Sequence, residues 1–242
     1  MLRIGRLIAA VVVIAAGPVL AGETLESVEK KIVEQWEKHR SVSAEFAMTQ
    51  KMEMAGAKID STSKGTYEYL KDGDRQLYRM DMTTNMVQDF GGQTMKSSSK
   101  IMMIDDGEFQ YTLTEVQQMP QPMAVKSKSD PTKVSGSGKA MFDSLRKEYN
   151  LKLMPDKTVD GESVYVIQGT PKATGPAPWA KFIYHFRKDV GMPVKIVYLD
   201  KDGKAVQTMT YTDIKLNPKI DRDRFVFKAP EGVQVMDMTQ QG

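Results

Sequence analysis

The chain has 242 residues, of which 40% are apolar and 27% charged, a composition that argues against disorder and against a multi-span membrane protein. Its 34 basic and 31 acidic residues leave a formal charge of +3, too little for an electrostatic footprint on nucleic acid. There is no cysteine, which rules out disulfides, thiolate nucleophiles, cysteine-based zinc sites and cysteine lipidation, and there are 18 methionines.

Arg3 and Arg6 precede an apolar run from Leu7 to Ala16, Gly17 and Pro18 break it, and Val19-Leu20-Ala21 fits a processing site. This pattern predicts a secretory signal peptide over residues 1–21, cleaved after Ala21, because the run is too short to span a bilayer. Residues 22–242 then read as one exported domain without a linker or internal repeat.

Thr24 is placed to cap a helix in which Leu25, Val28, Ile32 and Trp36 recur at helical spacing. Glu26 and Glu29 lie early and Lys38, His39 and Arg40 late, as the helix dipole favours, so an amphipathic helix is predicted over 24–39. The period then drops to two. Phe46, Met48, Met52 and Met54 share one parity against Glu45, Thr49, Lys51 and Glu53. Tyr67 and Tyr69, then Tyr78, Met80 and Met82, then Phe109, Tyr111 and Leu113, then Phe182, Tyr184 and Phe186 repeat that pattern. Each run predicts a strand with one oily and one wet face. Residues 164–167 and 194–199 are more continuously apolar, as central strands are.

Asp-Gly pairs at 72–73, 106–107, 160–161 and 202–203 separate the runs. Asp-Gly tolerates the positive φ of tight hairpins, and strands joined by hairpins are antiparallel neighbours. From Met119 to Gly138 no periodicity survives, and a long loop is predicted there. A short amphipathic helix follows, with Met141, Phe142, Leu145 and Tyr149 on its stripe, and a proline-rich turn runs from Pro171 to Pro178. The fold class is mainly β (α+β), an antiparallel meander with two helices.

Chemistry is scarce. Neither histidine sits in a motif: His185 falls on the wet parity of its strand and reads as a surface side chain, and His39 reads as a complement to the helix dipole. Asp105-Asp106 and Asp200-Lys201-Asp202-Gly203 read as turns rather than as a carboxylate pair or a calcium loop. No catalytic residue, cofactor or metal site is predicted, and the chain is not expected to be an enzyme. A sheet with one oily face must bury it. Two helices are the only obvious cover, so the sheet is expected to curl either into a closed barrel or into a trough capped by helices, and a trough under a lid is a natural pocket for apolar ligands. Methionine, unbranched and polarizable, repacks around guests of varied shape.

The element order and several local motifs resemble the bacterial outer-membrane lipoprotein carrier family (LolA-like). They are Val42-Ser43-Ala44-Glu45-Phe46 leading to Gln50, the strand from Gly65-Thr66-Tyr67, and Val190-Gly191-Met192-Pro193. Tyr211-Thr212-Asp213-Ile214 and Arg224-Phe225-Val226-Phe227 followed by Pro230-Glu231-Gly232-Val233 complete the likeness. The resemblance implies a curved antiparallel half-barrel whose cavity receives lipoprotein acyl chains in the periplasm. It also implies an inner-membrane transporter and an outer-membrane acceptor as partners, and a Phe-x-Phe strand at the tail. The family's lid-latching Arg-Pro pair is missing, and the role transfers to neither Arg75 nor Arg79.

The expected lipid-binding face is therefore Phe46, Met48, Met52, Met54, Tyr78, Met80, Met82, Phe109, Tyr111, Phe182, Tyr184 and Phe186, with Ile32, Trp36, Phe142 and Leu145 in the lid. A monomeric carrier of lipoprotein acyl chains or a related lipid is the leading reading, with no nucleic-acid partner. The alternative is a periplasmic sensor on the same scaffold that regulates an anti-sigma or envelope-stress partner.

Overall fold

The structure, a computed structural model, describes residues 23–240 except 55, 118, 120, 131–137 and 173–178, together with the backbone but not the side chain of Met54. The predicted signal segment with its cleavage site at Ala21 lies outside the described residues, as does most of the Pro171–Pro178 turn.

Helix α1 (Leu25–Glu37) starts where the sequence places it. The Thr24 side chain accepts from the Ser27 amide while Ser27 answers the Thr24 backbone, a reciprocal cap. The helix stops at Glu37, two residues short of the expected end. His39 lies beyond it, is 8% exposed, and has its pKa held below the usual value by burial, which works against the expected role as a charge complementing the dipole.

Then follow β1 (Ser41–Met54), β2 (Ala57–Asp72), β3 (Arg75–Phe90), β4 (Gln93–Asp105), β5 (Phe109–Val116), β6 (Met123–Lys128) and α2 (Lys139–Glu148). The second half holds β7 (Tyr149–Val159), β8 (Glu162–Pro171), β9 (Lys181–Arg187), β10 (Pro193–Leu199), β11 (Ala205–Leu216), a 3₁₀ turn (Arg222–Phe225) and β12 (Val235–Asp237). All four Asp-Gly pairs lie where one strand gives way to the next, Asp72 closing β2 itself, with each glycine at positive φ. Five of the described strands, β4, β6, β7, β11 and β12, lie outside the strand runs read from the sequence. β4 carries Lys96-Ser97-Ser98-Ser99-Lys100, where neither face is oily, and β6 occupies the middle of the expected long loop. Tyr149 opens β7 instead of closing the helix stripe.

The strands form one sheet in the order β12-β6-β5-β4-β3-β2-β1-β11-β10-β9-β8-β7. Two antiparallel meanders, β1–β6 and β7–β11, are therefore stitched together by the β1–β11 pair. The result is an open, curved half-barrel with both helices on one face. From the end of β11 the chain returns across the other face to reach β6, where β12 pairs parallel, the one parallel pairing among the described strands. This strap buries Phe225 against Leu77 and Ile104 and stacks Phe227 on Tyr111 at 4.9 Å. The tail aromatics thus form a strap, not the expected strand, because both rings point at sheet residues that would otherwise face water. His185, read as a surface residue, is only 7% exposed, with Nδ1 3.3 Å from the Lys195 carbonyl oxygen.

Candidate apolar ligand site

Antiparallel partners directly opposite each other share a face. On the helix face, Val42 opposes Tyr69, Tyr69 opposes Tyr78, and Tyr78 opposes Asp105. One level outward, Tyr67, Met80 and Met103 align, then Phe46, Gly65 and Met82, then Met209, Met48 and Ser63. Ser61, Ser63 and Gly65 thus run as a low line down β2 between methionine-bearing strands. Gly65 has to be glycine: a Cβ there would lie 2.0 Å from the Asp81 carbonyl oxygen.

The inner end of this face is filled. Trp36 from α1 stands 4.7 Å from Tyr69, and Tyr67 and Phe46 meet Tyr211 at 5.9 and 6.1 Å. Val42, Tyr78, Val190 and Met192 complete this cluster. Burial pushes the Tyr69 phenol up to about 12 and raises Tyr67, Tyr78 and Tyr211 as well. The Tyr67 hydroxyl is buried without a hydrogen-bond partner among the described residues. Asp105 is fully buried beside Tyr78, accepts from Gly107 N and Ser129 Oγ, and has its pKa raised chiefly by burial.

The outer end is less tightly filled by the described residues. Met48, Met52, Met80, Met82, Met103 and Met209 are half-buried beyond the aromatic cluster. Gln207, Gln50 and Gln88 each turn a side-chain amide toward a thioether, those of Met48, Met52 and Met86 respectively. The floor is therefore soft, apolar and edged with neutral polar groups.

Over β7–β9 the helices are docked. Ile32, Val28, Met141 and Phe142 pack with Tyr165, Ile167 and Phe186, and the Phe142 and Phe186 rings lie 5.6 Å apart. Leu145 joins from the edge of that cluster. Phe182 meets Tyr184 at 4.8 Å and Tyr149 at 4.9 Å, and the Tyr184 and Tyr198 hydroxyls are 3.3 Å apart. Of the expected lid residues, Ile32, Phe142 and Leu145 lie at this contact, whereas Trp36 belongs to the aromatic cluster on Tyr69. Glu29 on α1, 8% exposed, is held by Arg146 on α2 through Nε at 3.1 Å and a second contact from Nη2. This ion pair joins the two helices. Arg79 has no part in it: it clasps Asp81 and donates to the Arg224 carbonyl on the strap face.

The structure thus brings together Phe46, Met48, Met52, Tyr78, Met80 and Met82, and separately Phe182, Tyr184 and Phe186 under the second meander. Met54 ends β1 with its side chain outside the described residues. Phe109 and Tyr111 require correction. Tyr111 opposes Ile104, which opposes Arg79, so both aromatics belong to the strap face. Lys126 Nζ covers the Phe109 ring at 3.7 Å there. Met103 and Met209, which the expected site omitted, belong to the helix face. A groove of about 420 Å³ also lies on the strap side of β2–β5, floored by Met102 and Leu113, and a cleft of about 330 Å³ separates α1 from α2.

A family model described only as an uncharacterized protein matches residues 121–229. An uncharacterized protein of Methanocaldococcus jannaschii is 21% identical over 211 residues, covering 87% of this chain and 53% of that protein, so the chain spans about half of that relative. Among solved structures, an uncharacterized conserved protein of Thermus thermophilus aligns with a TM-score of 0.50 at 12% identity, over 86% of this chain and 98% of the other. A crystal structure of MucB gives a TM-score of 0.49 at 16% identity, covering 87% of this chain and 64% of MucB. A LolA superfamily protein of Nitrosomonas europaea gives 0.31 at 14% identity, over 85% of this chain and 99% of that one. An open, curved antiparallel sheet with its helices docked on one face is the architecture the sequence resemblance implies, and the described residues form that architecture.

Proposed function

We propose that this protein is an exported, non-enzymatic carrier that shelters an acyl chain on the outer half of its helix face. The observation that carries this reading is the methionine floor of Met48, Met80, Met82, Met103 and Met209, which the described residues bury only in part beyond the packed aromatic cluster. Each methylene sheltered there contributes about 0.8 kcal/mol, so a chain of several methylenes binds without any specific polar contact. Thioethers adapt to a flexible guest, and the glutamine amides at the margin tolerate its polar end. Deeper entry requires Trp36 to leave Tyr69, which couples cargo to the position of α1. In the periplasmic reading the cargo is a lipoprotein or a related lipid, received from an inner-membrane transporter and released to an outer-membrane acceptor by a monomer.

The test is uptake of a fluorescent fatty acid by the purified protein, with unlabelled fatty acid as competitor. Met48→Asp and Met209→Asp are expected to weaken uptake at least tenfold while the circular dichroism spectrum is retained. Binding that no unlabelled lipid displaces, or that both aspartate variants leave unchanged, overturns the proposal. Recovery of a membrane-anchored regulator instead of lipidated cargo from envelope extract replaces it with the sensor reading.

A further inference from the structure

We propose that Met80, Met82 and Met103 form a thioether site for a soft monovalent metal ion of the Cu(I) class. The chain has 18 methionines and no cysteine, so thioether sulfur is its only soft donor in quantity. Thioethers select Cu(I)-like ions and discriminate against hard dications. Among the described residues no group of three or more His, Asp or Glu side chains is placed to hold a metal, so no harder site competes.

The register sets the geometry. Met80 lies directly opposite Met103 across β3 and β4, which puts their Cβ atoms about 5 Å apart. Met82 follows two residues along β3 on the same face, about 7 Å further on. Side chains of this length let three sulfurs meet above the β3–β4 seam. All three residues are half-buried and pack against the cluster that contains Phe46, Tyr67 and Tyr78, which walls water from one side while leaving the other open to an arriving ion.

A second observation distinguishes this trio from Met48, Met52 and Met86. The sulfurs of Met48, Met52 and Met86 are met by glutamine amides at 3.4, 2.7 and 3.5 Å. Among the described residues no hydrogen bond reaches the sulfurs of Met80, Met82 or Met103, so their lone pairs stay free for a metal. The site does not depend on an acyl ligand.

The experiment uses the full mature chain labelled with ¹³C at the methionine methyls. Silver nitrate serves as an air-stable probe, and Cu(I) is then supplied anaerobically against a chromogenic Cu(I) chelator. One equivalent of silver is expected to shift the methyl signals of Met80, Met82 and Met103, and the protein is expected to withdraw one Cu(I) from the chelator. The triple variant Met80→Leu/Met82→Leu/Met103→Leu keeps the apolar surface and is expected to bind metal at least tenfold more weakly, with its circular dichroism spectrum retained. Met82→Leu alone serves where the triple variant does not fold, with a smaller loss expected. Met48→Leu/Met209→Leu is expected to bind metal normally. No methyl shift, shifts spread over other methionines, or affinity unchanged in the leucine variants overturns the site.

Discussion

Gly191 sits so close to Ile32 that a Cβ on the glycine would lie 2.3 Å from the Ile32 carbonyl oxygen and 2.7 Å from the Trp36 amide nitrogen. The turn between β9 and β10 is thus pressed against the backbone of α1, and φ of +74° at Gly191 makes that approach possible. Gly191→Ala is expected to cost about 3 kcal/mol, because backbone strain and a clash with backbone atoms add. Gly203→Ala is the control. Its φ of +79° is similar, but nothing lies within 4 Å. It is expected to cost only about 1 kcal/mol. Urea unfolding measures both, and equal losses would mean that the contact with α1 contributes nothing.

The ion pair between Glu29 and Arg146 ties the two helices over the second meander. Arg146→Ala leaves a carboxylate buried and unpaired, and a loss of about 2–3 kcal/mol is expected, below the full figure for a buried pair because Arg146 is half exposed. Replacing both partners, as Glu29→Leu/Arg146→Leu, is expected to recover most of that loss, since it removes the stranded charge. Urea midpoints of the two variants decide the matter.

Phe225 anchors the strap at 1% exposure between Leu77 and Ile104. Phe225→Ala is expected to destabilise by about 3–4 kcal/mol through lost burial and the cavity it leaves. The same change is expected to raise hydrogen exchange in β12, which holds to β6 by only a short parallel pairing. Unchanged exchange there would show that the strap does not depend on its anchor.

Acid should act on the fold in two opposed ways. Burial lowers the pKa of His39 and His185 below 6.5, so the unfolded chain takes protons first as pH falls. Their contribution is complete above about pH 6.5 and is lost as pH drops from there through the lowered folded values. Asp105 has the opposite sign. Its raised pKa means that the folded state holds a proton the unfolded chain has released, so stability rises as pH falls through that value toward 3.8. Urea midpoints across this range are expected to fall below pH 6.5. His39→Gln/His185→Gln should flatten that fall, and Asp105→Asn should remove the compensation at lower pH.

The aromatic–methionine alternation of β1, β2, β3 and β9 and the Asp-Gly hairpins were legible because each is a local property of a few neighbouring residues. The capped start of α1 was legible for the same reason. β4 was not, because Lys96-Ser97-Ser98-Ser99-Lys100 is wet on both sides and owes its strand to pairing with β3 and β5. Met103 and Met209 could have been placed only through their opposition to Met80 and Met48.

The sequence by itself determined that oily and wet positions alternate and where the hairpins turn. Which of the two faces an oily run would join was decided only by tertiary structure. This sheet buries apolar side chains on both sides, under α1 and α2 on one and under the strap on the other. Alternation fixes a strand's two faces relative to each other, and register alone assigns them, since a slip of one residue exchanges them. For Phe109 and Tyr111 the pairing of Asp105 with Gln110 made that choice and turned both rings toward the strap.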